Sequence, residues 1–356
     1  MKHPRSASGP SPSRGRHLRS GKAGSAGALA WAAIACLAIA AHAAPPRPAA
    51  LDEPALQTPK SLGAAMLAVT RAGTRLVAAG ERGIVLISDD GGRQWKQART
   101  PVQVSLTALR FADERTGWAV GHMGVVLRTS DGGLTWDRQL DGVRAAELLG
   151  SQRAIEEGPD KPFFDIAAPD ARHAVVVGAY NLAFETADGG TTWTPLSPRL
   201  PNPKSLHLYG VRIAGDKVYV AGEQGLLMKS TDHGATFAAL ASPYKGSFFG
   251  LFAARSGTLV AFGLRGNAYR SPDEGRSWEK IDTGTPVSIS TAIELADGAV
   301  ALLTQTGQVL VSRDDARTFA ALALPPAAAP TSALAHADAG TLVLAGLRGM
   351  RTVTAP

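Results

Sequence analysis

The stretch GWAVGHMGVVLRTSDGGLTW, Gly117 to Trp136, decides the fold. It holds an apolar run (Trp118, Ala119, Val120), a Gly-x-x-Gly turn (Gly121, Gly124) and a second apolar run (Val125, Val126, Leu127). A polar turn, Thr129-x-Asp131-x-Gly133, then closes on Trp136. Short β-prone runs separated by glycine turns are what buried antiparallel strands require. The polar turn recurs as Ser88-Asp90-Gly92-Trp95, Thr186-Asp188-Gly190-Trp193, Ser230-Asp232-Gly234-Phe237 and Ser271-Asp273-Gly275-Trp278, with a degenerate copy at Ser312-Asp314-Ala316-Phe319. Successive aromatic residues stand 41, 57, 44, 41 and 41 residues apart, a period that fits one four-stranded propeller blade.

The four-residue turn also recurs. It opens at Gly80, Gly121, Gly178, Gly222, Gly263, Thr304 and Gly346 and ends at Gly83, Gly124, Asn181, Gly225, Gly266, Gly307 and Gly349. In the first six copies its last residue lies 12 positions before the aromatic residue, so the two signatures belong to one unit. Seven turns predict an all-β, seven-bladed propeller of four-stranded blades with Asp-box turns, occupying residues 61–356. After the seventh turn only Met350 to Val353 reads as a strand, and no further aromatic follows. Ala50 to Thr58, within an N-terminal segment of residues 44–60, is expected to supply the missing outer strand and close the ring; Pro54 is tolerable on an edge.

The box residues suit a scaffold role. A short Ser or Thr and an Asp can hydrogen-bond the backbone of a tight turn, glycine supplies positive φ, and the aromatic ring plugs the turn into the blade. Asp90, Asp131, Asp188, Asp232, Asp273 and Asp314 are therefore read as structural.

On these residues the chain resembles the Asp-box, or bacterial neuraminidase, repeat. T-x-D-G-G-x-T-W after G-W-A-V-G-x-x-G, at Gly117 to Trp136, is similar to the photosystem II stability and assembly factor family, over about residues 61 to 355. The resemblance implies a non-catalytic assembly or stability factor, which in photosynthetic organisms acts on a photosystem II reaction-centre subunit. Because relatives also occur in bacterial envelopes, another membrane complex, such as an envelope transport system, is the second client class.

The formal charge is +7. Six basic residues and no acids lie before residue 44, leaving 31 basic against 30 acidic residues in the body, so the charge gives no nucleic-acid reading. The basic start to Lys22, the apolar run from Ala26 to Ala41 and the small-x-small Ala41-His42-Ala43 read as a signal peptide of residues 1–43, cut before Ala44. The expected location is exported, periplasmic or secreted. A lipid anchor at Cys36 is disfavoured, because the usual large aliphatic residue three positions earlier is missing and the apolar run continues past it. Cleavage leaves no cysteine, hence no disulfide or thiolate site.

The histidines His122, His173, His207, His233 and His336 show no metal-ligand spacing, and no metal or other cofactor is expected. For the enzyme alternative, a sialidase or other glycoside hydrolase, Tyr180 with Glu81 or Glu223 is a conceivable nucleophile pair, and Glu294 a further acid. The sialidase Arg-Ile-Pro element is absent, and no pair of acids is singled out by spacing. The favoured reading is a disc that binds a protein on the face opposite the Asp boxes. The four-residue turns place Arg82, His122, Tyr180, Asn181, Gln224, Arg265 and Arg348 there. An insertion at about residues 141–160, with Val143 to Glu157 read as a helix, adds Leu148, Leu149 and Ile155 to that face.

Overall fold

The computed structural model describes residues 47–150, 159–338 and 340–354. The proposed leader, Cys36 and Ile155 fall outside them. Seven antiparallel sheets follow one another along the chain. The first is Met66–Ala72, Arg75–Gly80, Val85–Ser88 and Lys96–Gln97, in sequence order, and the next five repeat this four-stranded plan.

Burial explains why the strands read as apolar throughout. In Arg75–Gly80, Leu76 and Ala78 pack with Met66, Ala333, Val343 and Ala345 of the first and last sheets. The alternate residues Val77 and Ala79 pack with Leu106, Ala119 and Leu127 of the second sheet. Each strand thus feeds two interfaces, because successive side chains point to opposite faces and both faces are covered. Second strands such as Ala174–Gly178 and Val300–Thr304 are buried at every position.

The seventh sheet has three strands among the described residues, Thr331–Asp338, Thr341–Gly346 and Gly349–Thr354. The expected closing strand at Ala50 to Thr58 does not form there. Those residues lie instead along the connection between the first two blades: the Ala55 N–H donates to Thr100 O (3.1 Å), Gln103 N–H to Ala50 O (2.8 Å) and Gln57 Nε2 to Ala98 O (3.1 Å). The reason is Leu51, fully buried in the core between those blades. Burying a leucine is worth about 1.5–3 kcal/mol, and Leu51 anchors the segment away from blade seven. Closure is lateral instead. Ser332 Oγ donates to Met66 O (2.6 Å), Thr352 Oγ1 to Gly92 O (3.0 Å), and Arg71 Nη1 meets His336 Nδ1 at 3.0 Å.

Among the described residues the insertion forms a helix over Gly142–Leu149; positions 151–157 of the expected span lie outside them. Asp141 Oδ1 accepts the Val143 and Arg144 N–H groups at its start, and Gly150 ends it in the left-handed conformation.

Candidate protein-binding face

All six Asp boxes use their aspartate on themselves. In the fifth, Ser271 Oγ donates to Asp273 Oδ1 (2.8 Å), the Ser277 N–H to the same oxygen (2.9 Å), Ser277 Oγ to Oδ2 (2.6 Å), and the Gly275 N–H to Ser271 Oγ (2.7 Å). The degenerate sixth box keeps the pattern, with Ser312 and Thr318 on Asp314 and Ala316 at φ 62° in the glycine position. Hydrogen bonds to the charged form hold Asp188, Asp232 and Asp273 down at about 2, led by Thr192, Ser230 and Ser277 respectively. Each of these aspartates is engaged in hydrogen bonds within its own turn.

At the opposite ends of the blades, the four-residue turns hold Arg82, Met123, Tyr180, Gln224 and Arg265 at φ 52–57°. Their glycine ends are enforced by packing. A Cβ at Gly83, Gly225 or Gly266 would overlap the carbonyl oxygen of Val102, Tyr244 or Thr285 on the connection to the next blade. Asn181 replaces glycine in the third blade, at φ 65°, and its amide donates to Ser197 O (3.3 Å) and accepts from Asn202 Nδ2 (2.9 Å). Arg82, His122, Tyr180, Gln224, Arg265 and Arg348 are exposed, distributed over six blades. The helix Gly142–Leu149 packs against the turn His122–Gly124, which puts the insertion on this face. Leu148 and Leu149 are half-buried against the core of blades two and three, so much of their apolar surface is already used within the chain.

The seven first strands surround a central cavity of about 540 Å³. Strand direction gives it two unlike mouths. On the turn face, Phe164, Tyr209 and Phe249 begin three successive blades and form an aromatic arc: Phe164 and Tyr209 lie 5.4 Å apart, Tyr209 and Phe249 6.0 Å. His207 continues the arc outward to Tyr180, at 4.5 Å, and its Nδ1 accepts the Tyr180 N–H at 3.1 Å. Tyr180 itself is 61% exposed. Three residues further along the strands, about 10 Å deeper, come Arg110 and Arg212. Asp165 pairs with Arg212 at 2.5 Å. Burial inside the ring, then the charge of Arg212, push the Arg110 guanidinium down to about 10, with Asp165 acting the other way. The arc was not read from the sequence, apart from Tyr180. Its signal is positional: Phe164, Tyr209 and Phe249 each stand thirteen or fourteen residues before the glycine that opens their turn.

The acids considered for glycosidase chemistry are otherwise engaged. Glu81 Oε1 accepts the Ala65 N–H (2.9 Å), Glu223 Oε2 the His207 N–H (3.2 Å), and Glu294 pairs with Arg255 (2.9 Å). Tyr180 meets His207 rather than a glutamate.

A seven-bladed propeller with Asp-box turns on one face and an aromatic, turn-built opposite face defines the class of Asp-box propellers. The family model of the photosynthesis system II assembly factor YCF48 matches residues 92–151 and 145–285, and the chain belongs to that family. Among curated proteins it is similar to the photosystem II assembly lipoprotein Ycf48 of Synechococcus sp. (strain CC9902), 27% identical over 161 residues, 43% of this chain and 47% of that protein. The counterpart of Parasynechococcus marenigrum (strain WH8102) is 31% identical over 150 residues, 40% and 44% respectively. The matched region thus spans just under half of these relatives' length. Among solved structures, YCF48 bound to D1 peptide superposes with TM-score 0.63 at 16% identity, over 85% of this chain and 96% of that one. The GH74 xyloglucanase from Xanthomonas campestris gives 0.60 at 15%, over 83% and 52%. At these identities both likenesses establish the shared propeller fold.

Proposed function

We propose that this chain is an exported, non-catalytic factor that holds a polypeptide segment of a membrane-complex subunit during assembly. The observation that carries the reading is the aromatic arc, Tyr180, His207, Phe164, Tyr209 and Phe249, presented at the cavity mouth on the face opposite the Asp boxes. Aromatic anchors around a concavity, flanked by exposed arginines, are the side chains that dominate protein contacts. Membership of the YCF48 family, and a relative solved with D1 peptide, support a protein client. Of the two client classes, a reaction-centre-type subunit is the one that relative favours. Arg82 and Arg265 act as rim contacts in this reading, which also takes residues 1–43 as a leader cut before Ala44 and the encounter as lying outside the cytoplasm.

Crosslinked pull-down of the tagged exported protein with mass spectrometry tests it. Replacing residues 142–158 by a short Gly/Ser linker, and separately Arg82→Ala with Arg265→Ala, is expected to reduce recovery of the same client from folded variants. Undiminished recovery, with loss on altering the Asp-box face, would overturn the choice of face. An N-terminus at Cys36 would overturn the cut.

A further inference from the structure

Blade seven differs from the other six at its outer edge. Leu344 pairs with Arg351 as Ala78 pairs with Leu86, and Val343 with Thr352 as Val77 with Ile87, so Met350, Arg351 and Thr352 stand where Val85, Leu86 and Ile87 stand in blade one. In blade one this edge is covered: Leu86 pairs with Gln97, Ile87 with Lys96, and the Ala98 N–H donates to Val85 O at 2.9 Å. The last bond recurs from Leu196 to Ala183 O, Leu240 to Leu227 O and Leu322 to Val309 O, each 2.9 Å. Among the described residues, no strand covers Gly349–Thr354 on the side away from Thr341–Gly346.

The position is otherwise built. Leu62 O lies against Gly349 as Val102 O lies against Gly83, so the N-terminal segment provides the cap but not the strand below it. Arg351 donates to Pro325 O (2.8 Å) and Pro326 O (2.9 Å) on the blade-six side, and Thr352 Oγ1 to Gly92 O (3.0 Å) on the blade-one side. Residues 50–58 are committed to blades one and two.

The six covered edges specify what fits. Their outer strands read Trp95-Lys-Gln-Ala98, Trp193-Thr-Pro-Leu196, Phe237-Ala-Ala-Leu240, Trp278-Glu-Lys-Ile281 and Phe319-Ala-Ala-Leu322, with Trp136 to Leu140 one residue longer. The aliphatic ends Ala98, Leu140, Leu196 and Ile281 are buried, and the intervening Lys96 and Ala238 are exposed. We propose that the edge Met350–Thr354 receives an extended segment of a partner protein with the form aromatic-x-x-aliphatic, added antiparallel as the fourth strand. Main-chain bonds to Met350 and Thr352 give the affinity, and the aromatic-to-aliphatic spacing of the covered edges sets the selectivity. This site is separate from the turn face and does not depend on it.

The probe is a fluorescent peptide of residues 315–323, which carries Phe319-Ala-Ala-Leu322, titrated into the full chain with anisotropy and hydrogen exchange as readouts. We expect saturable binding, slowed exchange at the Thr352 amide, and at least a tenfold loss when the peptide's Phe and Leu are changed to Ser. Thr352→Pro removes the outward N–H and is expected to weaken binding at least tenfold. A second variant, with residues 313–322 appended after Pro356 through a Gly/Ser linker, is expected to occupy the edge and abolish binding even if Thr352→Pro misfolds. Tyr180→Ala leaves this binding unchanged, which separates its failure from that of the turn-face reading. The proposal is overturned by absence of saturable binding, by binding indifferent to the appended strand, or by a Thr352 amide already protected in the free protein, which would mean that the chain or a second copy covers the edge.

Discussion

On the Asp-box face, Asp273 is satisfied by Ser271 and by both the amide and hydroxyl of Ser277, within its own turn. On the opposite face Arg82, Gln224 and Arg265 hold φ values of 52–57° with their side chains exposed. The turns of one face join second and third strands, those of the other third and fourth, and both demand positive φ. Short polar side chains reach back to their own backbone and are consumed by it. Long or aromatic ones cannot, and stay available to another molecule. Side-chain length, more than polarity, separates scaffold from contact surface in this propeller.

The sharpest way to break this comparison is Gly225→Val. Its Cβ would overlap Tyr244 O at φ 80°, so a loss of about 3 kcal/mol or more in chemical denaturation is expected. A small loss would show that the turn face yields and is not the rigid platform described. Leu51→Ala, on neither face, calibrates the scale: about 3 kcal/mol is expected from a buried leucine, and deletion of residues 44–58 at least as much. An unchanged melting temperature would remove the anchoring role given to the N-terminal segment. Tyr180→Ala should leave stability within about 0.5 kcal/mol while lowering client recovery roughly tenfold, a split that a structural residue would not produce.

The smallest effect concerns acid. Asp188, Asp232 and Asp273 titrate near 3.8 when unfolded and at about 2 when folded. Their contribution is fully present above pH 3.8 and is lost as pH falls through about 2, the sign for a depressed carboxyl. Melting scans from pH 5 to 2 on the parent and on a triple Asp→Asn variant should converge at the acid end. Parallel curves would mean that these carboxylates are not what the turns rely on.

The blade number and the scaffold role of the boxes were legible because box and turn keep a fixed offset, and local hydrogen bonding needs only neighbours in sequence. The closing strand was not legible. The deficit in blade seven could be counted, but the competing burial of Leu51 between Val102, Leu106 and their neighbours depends on three-dimensional proximity. The aromatic arc escaped for a related reason. Phe164, Tyr209 and Phe249 sit in largely apolar strands, where an aromatic residue reads as core. The bulge after the first residue of each strand, as between Leu208 and Gly210, decides which residue faces the cavity. The helix was anticipated, but its leucines are turned partly onto blades two and three because Ala145 and Ala146 are small enough to bring it close.

Because, among the described residues, Ser332, Thr352 and His336 join the last blade to the first through side chains and no strand is shared, the ring carries a seam. A hoop whose two ends overlap resists opening until whole ladders rupture. One whose ends abut can part by giving up side-chain contacts and an apolar interface. Partial opening is therefore expected to begin between blades seven and one, and a circular permutation that moves the chain break elsewhere would turn this junction into an ordinary covalent connection.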